Sequence, residues 1–188
     1  MSKKMTMFAL AVGALIACAL PAAANAQTLE EGGTALAVGA EVTSTSTNFK
    51  ITTGAGNIVC AKATYHAEVA ANTEESGSTL QSAPFGGFVV TGCTVNGVPV
   101  TVTAPAIATV TFSGFKGGTT GFTLITDIAG LSCHFSGVPG VTSFPLGVDS
   151  FHLEGALVGT HLPCPAGAVV EGDFTLETSD GTPVTLNL

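Results

Sequence analysis

The sequence predicts an all-β fold, an antiparallel β-sandwich or Greek-key barrel stapled by disulfides. Three observations carry that expectation. Thr, Val and Phe recur throughout, Gly is abundant, and no long segment has helical periodicity. Short apolar or alternating runs are separated by Gly, Pro, Asn and Asp clusters at strand-like intervals. Four cysteines follow what reads as a secretory leader, and an even number of thiols in an exported chain most simply means disulfides.

The leader comes first in the chain. Lys3 and Lys4 supply a positive start, and Met7 to Ala17 is an unbroken apolar run. Pro21 breaks any helix, and Ala24-Asn25-Ala26 is a small-x-small cleavage signal before Gln27. The expectation is a bacterial-type signal peptide over 1–26 and a single secreted β domain over 27–188. The apolar run is short for a membrane span, which weighs against an uncleaved anchor. A second alternative is a lipoprotein, because Leu15-Ile16-Ala17-Cys18 resembles a lipidation box that would anchor the chain through Cys18.

The strands follow in order. Val42 to Ile51 alternates around a Thr/Ser-rich stretch, and Asn57 to Val69 follows Gly54-Ala55-Gly56. Phe88 to Val90 leads into Gly92-Cys93, and Val98–Val102 and Ile107–Phe112 are dense in β-branched residues. Asn96-Gly97 is a tight-turn signal, because both residues tolerate positive φ. Gly117-Gly118 is read as the break between Phe112–Phe115 and Phe122–Thr126. Asp149–Val158 and Val169–Thr178 make two further strands, and Asp180-Gly181 turns into a terminal one, Pro183–Leu188. That gives about ten strands, enough for a sandwich or barrel. Ala35–Ala40 is a weak candidate for a short helix. Ala71–Ser78 reads as a polar exposed loop, and Gly137–Gly147 as another loop, neither long enough for a domain linker.

Charge excludes some functions. From Gln27 onward there are three lysines (Lys50, Lys62, Lys116) against thirteen acidic residues, a net charge of −10, and the chain has no arginine. Such a surface repels phosphate backbones, so a nucleic-acid partner is not expected. There is no polybasic patch for an anionic membrane and no transmembrane span after the leader.

Four cysteines allow three pairings. Cys60–Cys93 with Cys133–Cys164 is favoured, since each would link near-neighbour strands across a moderate loop and contribute roughly 3–4 kcal/mol in the chain-entropy picture. A redox or metal role for these thiols is the alternative, but neither Cys-x-x-Cys nor zinc-knuckle spacing occurs. The similar spacings within the two pairs hint at an internal duplication, but the flanking sequences differ too much to support it.

Catalytic motifs are missing. Gly130-Leu131-Ser132-Cys133-His134 lacks the last glycine of a nucleophile elbow, and Gly54-Ala55-Gly56 fails the dinucleotide fingerprint. His66, His134, His152 and His161 are scattered. His152 and Glu154 share a strand face, and with His161 they have the chemistry of a divalent-metal site. The plainer reading is a solvent-facing strand side, with Phe151 and Leu153 taking the core side. Glu171 and Asp173 repeat that pattern, solubilising rather than acid/base. No catalytic, cofactor or metal residue is assigned. There is no Trp and one Tyr, Tyr65, so a sugar-stacking platform is not expected, and the Phe residues read as core.

Three segments, Ser44–Cys60 (STSTNFKITTGAGNIVC), Ile128–Phe135 (IAGLSCHF) and Gly172–Leu188 (GDFTLETSDGTPVTLNL), resemble small secreted cysteine-containing β proteins of actinobacteria. More distantly, the Cys–strand–Cys layout is similar to secreted activators of alkane oxidation, although this chain lacks the tryptophan and Cys-Gly ending of that group. These resemblances imply a secreted β fold and supply no site residue. The functional expectation is a secreted, non-enzymatic β protein acting through its surface, at the cell envelope or by self-association. The alternatives are a binding protein for a small apolar ligand, with Phe lining a cleft, and a metal-dependent hydrolase.

Overall fold

The computed structural model describes residues 27–84, 87–114, 116–128, 130–143, 147–160 and 163–187. The leader with Cys18, the candidate ligand His161, and Phe85, Phe115 and Phe144 lie outside the described residues. The strands are β1 (Thr28–Glu31), β2 (Thr34–Ala35), β3 (Glu41–Ser46), β4 (Lys50–Thr53), β5 (Gly56–Thr73) and β6 (Gly77–Ser82). Then come β7 (Phe88–Val95), β8 (Val98–Pro99), β9 (Thr101–Ala106), β10 (Thr109–Ser113), β11 (Lys116–Thr120) and β12 (Phe122–Ile128). The chain ends with β13 (Leu131–Gly137), β14 (Gly140–Ser143), β15 (Ser150–Gly159), β16 (Gly167–Thr178) and β17 (Val184–Asn187).

Fourteen of these strands form one antiparallel sheet that closes on itself as a barrel of eight staves. The staves are β3 with β4, β5, β6 with β7, β8 to β10, β11 with β12, β13 with β14, β15, and β16. Each pairs with the stave before and after it in sequence, and β16 closes the ring on β3 and β4. The all-β, disulfide-stapled expectation therefore holds, in its barrel form. The connections run up and down rather than in Greek-key order. Short turns between sequence-adjacent runs leave each run its own neighbour as the nearest antiparallel partner.

Among the described residues seventeen strands replace the ten expected, because five staves break into shorter strands and β1 and β2 form a separate sheet with β17. Gly121 (φ +61°) marks one bend; a Cβ there would lie 2.8 Å from the Ala108 Cβ. Gly155 marks another, where a Cβ would lie 2.5 Å from the Pro139 Cα. Asn96 and Gly97 form the expected tight turn, both at positive φ. Four expectations need correction. Gly137–Gly147 is not one loop, since Gly140–Ser143 forms β14, paired with β11 and β15. Ala71–Ser78 is a hairpin joining β5 to β6, not a loop, since its turn spans only Glu74–Ser76. Gly117-Gly118 lies inside β11, where both glycines face β10 and the turn itself falls earlier. Ala35–Ala40 has no helix; it leaves β2 through a turn at Val38-Gly39.

The barrel interior is apolar. Phe49, Phe88, Phe112, Phe122, Phe151 and Phe174 are buried and touch ring to ring along the axis. All the described Phe side chains are buried, so none forms an exposed patch. Polar residues take the outward phase, as in His152 and Glu154 between buried Phe151, Leu153 and Leu157. That polarity suits a barrel in water and is the reverse of one in lipid.

The two ends differ. At one, β17, β1 and β2 form a separate three-stranded sheet that packs against the β5–β6 hairpin. Leu29, Val184 and Leu186 from it are fully buried. Asn72, at the end of β5, clamps it. It accepts from Leu29 N–H (2.8 Å) and donates to the Leu29 and Leu36 carbonyls (2.9 Å each). At the other end, no such sheet is present among the described residues, and both disulfides lie there. Cys60 and Cys93 face each other directly across β5 and β7. Cys133–Cys164 ties β13 to the segment before β16, past the intervening β15, so it pins a strand to a loop rather than two neighbouring strands. The favoured pairing is thus the one present.

Candidate functional site at the barrel mouth

The disulfide-pinned end holds a small cavity of about 80 Å3 lined by Thr53, Ala55, Thr126, Leu131, Cys133, Phe135 and Pro165. Each element contributes for a local reason. Thr53 is the last inward residue of β4 before the Gly54-Ala55 turn. Phe122, Leu124 and Thr126 alternate inward along β12, and Cys133 and Phe135 do so along β13, directly opposite in register. Pro165 is placed by the neighbouring Cys164 bridge.

Thr126 borders this lining, but its hydroxyl oxygen is buried behind it rather than open to the cavity. Thr126 is 1% exposed, and its hydroxyl has no hydrogen-bond partner in the structure. A buried hydroxyl without a partner costs about 1–3 kcal/mol. The other buried side-chain groups without partners, Ser44 Oγ and the Gln27 amide, sit in the capped half. Thr126 lies beside Cys133, so the bridge that holds the mouth also fixes the wall carrying the hydroxyl.

Among the described residues, His66, His134 and His152 do not converge on the mouth. His66 lies on β5 toward the capped end, where its Nδ1 is 3.2 Å from Thr43 Oγ1. His134 points outward from β13, beside a groove of about 330 Å3 on the outer wall. His152 belongs to an outward ladder across β15, β16 and β4. Its Nδ1–H donates to Asp173 (2.7 Å), its Nε2 is 3.7 Å from Glu154, and Asn48 donates to Asp173 (2.7 Å). Lys50 pairs with Glu171 (2.8 Å) alongside. The hydrogen bonds from His152 and Asn48, with the His152 charge, hold the Asp173 carboxyl below its ordinary value. Each ladder member faces solvent on a convex wall, without a cleft to hold a substrate. Among the described residues, no group of three or more His, Cys, Asp or Glu is arranged to hold a metal ion.

Motif reasoning missed Thr126, Leu131 and Pro165. A signal was present: in Phe122-Thr-Leu-Ile-Thr126 the last threonine sits in the inward phase of its strand.

Geometry defines the class, a closed up-and-down antiparallel barrel with one sealed and one disulfide-pinned end. No family model, curated protein or solved structure matches this chain.

Proposed function

We propose that the protein is a secreted, non-enzymatic binding protein whose working surface is the disulfide-pinned mouth of the barrel. What supports this reading is the asymmetry of the ends. A sheet covers one, while the other keeps an apolar cavity whose rim is fixed covalently. Barrel mouths are a recurrent place for small-ligand sites, and eight staves leave room for side chains or one small ligand. Of the described phenylalanines, Phe135 alone lines this mouth, beside Thr, Ala, Leu, Cys and Pro residues, while the others fill the axis. The polar ladder around His152 is assigned a solubilising role.

The test is a fragment titration of the oxidised protein followed by amide chemical shifts. Saturable shifts at Thr126, Leu131 and Cys133, without shifts at Leu29 or Leu186, are expected. Saturable binding confined to the His152 wall, or at the cap, would refute the reading.

A second reading, surface contact with another protein, draws on Val158 and Val169, exposed around a groove of about 440 Å3 on the outer wall. The strand edge at β9 does not favour it. Pro105 and a register shift opposite Thr123 and Ile125 interrupt that edge, and both discourage added strands. Self-association visible by sedimentation, and lost on Val158→Lys, would favour this second reading.

A further inference from the structure

The turn between β7 and β8 carries a chemistry of its own. Five asparagines follow the leader, and Asn96 alone is followed by glycine. Asn96 and Gly97 are the two residues of the turn, since Val95 pairs directly with Val98. Both are exposed, at φ +50° and +81°. The Asn96 amide has no hydrogen-bond partner among the described residues. A two-residue turn ties the flanking pair and leaves the N–H groups of its own residues outside the ladder, so β-pairing does not hold the Gly97 N–H. A Cβ on Gly97 would meet nothing within 4 Å, so the space beside it is open.

We propose that Asn96 is a site of spontaneous modification, converting in the folded protein to isoaspartate and aspartate. The Gly97 nitrogen, having lost its proton to base in solution, attacks the Asn96 Cγ. A new C–N bond closes an imide ring. The side-chain nitrogen leaves as ammonia, taking from solvent a proton in place of the one Gly97 lost. Water, the one co-reactant, then opens the ring. Opening at the main-chain carbonyl gives isoaspartate, and opening at the former side-chain carbonyl gives aspartate.

The other sites are held. Asn48 donates to Asp173, Asn187 donates to Glu30, and Asn72 clamps Leu29 and Leu36. Asn57 is paired with Thr52 within the sheet and followed by buried Ile58. Asp180-Gly181 has the same spacing, but its carboxylate accepts from Thr178 and Thr182, which lowers its pKa. An ionised carboxylate offers no leaving group comparable to an amide nitrogen.

The change falls at the disulfide-pinned end, where Gly54-Ala55 and Pro163 to Ala166 carry no charge. It adds a carboxylate to an uncharged set of turns. Isoaspartate also lengthens the main chain by one carbon, which disturbs the pairing of Val95 with Val98. The proposal stands independently of what the mouth binds.

The experiment holds the oxidised, exported protein in mildly alkaline buffer for days. Samples are digested in acid, where ring closure stops during handling. Peptide mass spectrometry with isoaspartyl methyltransferase labelling reads each asparagine. Asn96 should gain the mass difference between an amide and an acid, with more isoaspartate than aspartate. Asn48, Asn57 and Asn72 should keep their amides. The rate should rise with pH, because the Gly97 nitrogen attacks only when deprotonated. Asn96→Gly suits the same turn as a Gly-Gly pair and should abolish the change. If that variant fails to fold, the wild-type time course still decides. Asn96 unchanged in the folded protein would overturn the proposal, whether or not the denatured chain converts. Aspartate without isoaspartate would overturn the ring-closing route. Conversion spread evenly over the other asparagines would overturn the assignment to this turn.

Discussion

The two ends of the barrel solve the same problem by different means. Any barrel of short staves has exposed rims where inward residues meet solvent. At one rim β1, β2 and β17 form a sheet that covers it, with Leu29, Val184 and Leu186 buried and Asn72 pairing the backbone. At the other rim nothing among the described residues returns, and two covalent bridges hold the staves instead. Non-covalent sealing fills a rim with side chains, and cross-linking holds one without filling it. The cross-linked rim therefore keeps room for a cavity, and the proposal of binding at the mouth rests on this difference.

The largest expected effect comes from the cross-link. Cys133→Ser with Cys164→Ser removes a bridge closing a loop of 31 residues, and should cost about 3–4 kcal/mol by the chain-entropy estimate. Chemical denaturation gives the cost. Hydrogen exchange should show faster opening at β12 and β13 than at β1 and β17. Equal acceleration at both ends would break the distinction between them.

The sealed rim gives the second test. Leu29→Ala should destabilise by about 2–4 kcal/mol, as for a fully buried leucine whose cavity relaxes in part. The same change at Leu131, on the mouth rim, should cost under about 1 kcal/mol. Similar costs at the two positions would mean the mouth is packed as tightly as the cap.

A smaller effect sharpens the view of the outer wall. Asp173 has a lowered pKa in the folded chain, so its contribution is fully present above the ordinary carboxylate value of about 4. It is lost as pH falls through the lower folded value. Asp173→Asn should therefore cost under about 1 kcal/mol at neutral pH and nothing in strong acid, given its half-exposed position. His152→Ala should stay within about ±0.5 kcal/mol, and zinc should not raise the melting temperature of wild type. A cost for Asp173→Asn that grows on acidification, or a stoichiometric zinc site lost in His152→Ala, would give the ladder a role beyond solubility.

Processing bears on the cap. The exported chain should begin at Gln27, cyclised to a lactam as the new α-amine attacks the side-chain carbonyl and ammonia leaves. The motive is that Gln27 is fully buried with its amide unpaired. Mass spectrometry of the first peptide reads this directly. A diacylated Cys18 would instead place the protein on a membrane surface.

Much of the barrel was legible in sequence, for physical reasons. The period-two alternation of Phe151-His-Leu-Glu fixes one face against the other, and the structure follows it. Asn96-Gly97 names its own turn through positive φ. The cysteine pairing followed from loop length. What escaped was long-range. Gly117-Gly118 reads as a turn locally, but β10 approaches so closely that a Cβ at Gly117 would lie 1.8 Å from the Thr111 carbonyl oxygen. Nothing near Thr28–Glu31 announces a strand whose partner, β17, lies at the other end of the chain. Thr126 looks like any strand threonine until β13 and the Cys164 loop enclose it.

The most direct measurement is a xenon-pressurised crystal of the oxidised protein. Xenon enters apolar cavities that stay dry. A xenon atom should sit in the mouth, against Phe135, Leu131 and Pro165, with none beneath the three-stranded cap. A mouth without xenon, or a site under the cap between Leu29 and Leu186, would contradict it.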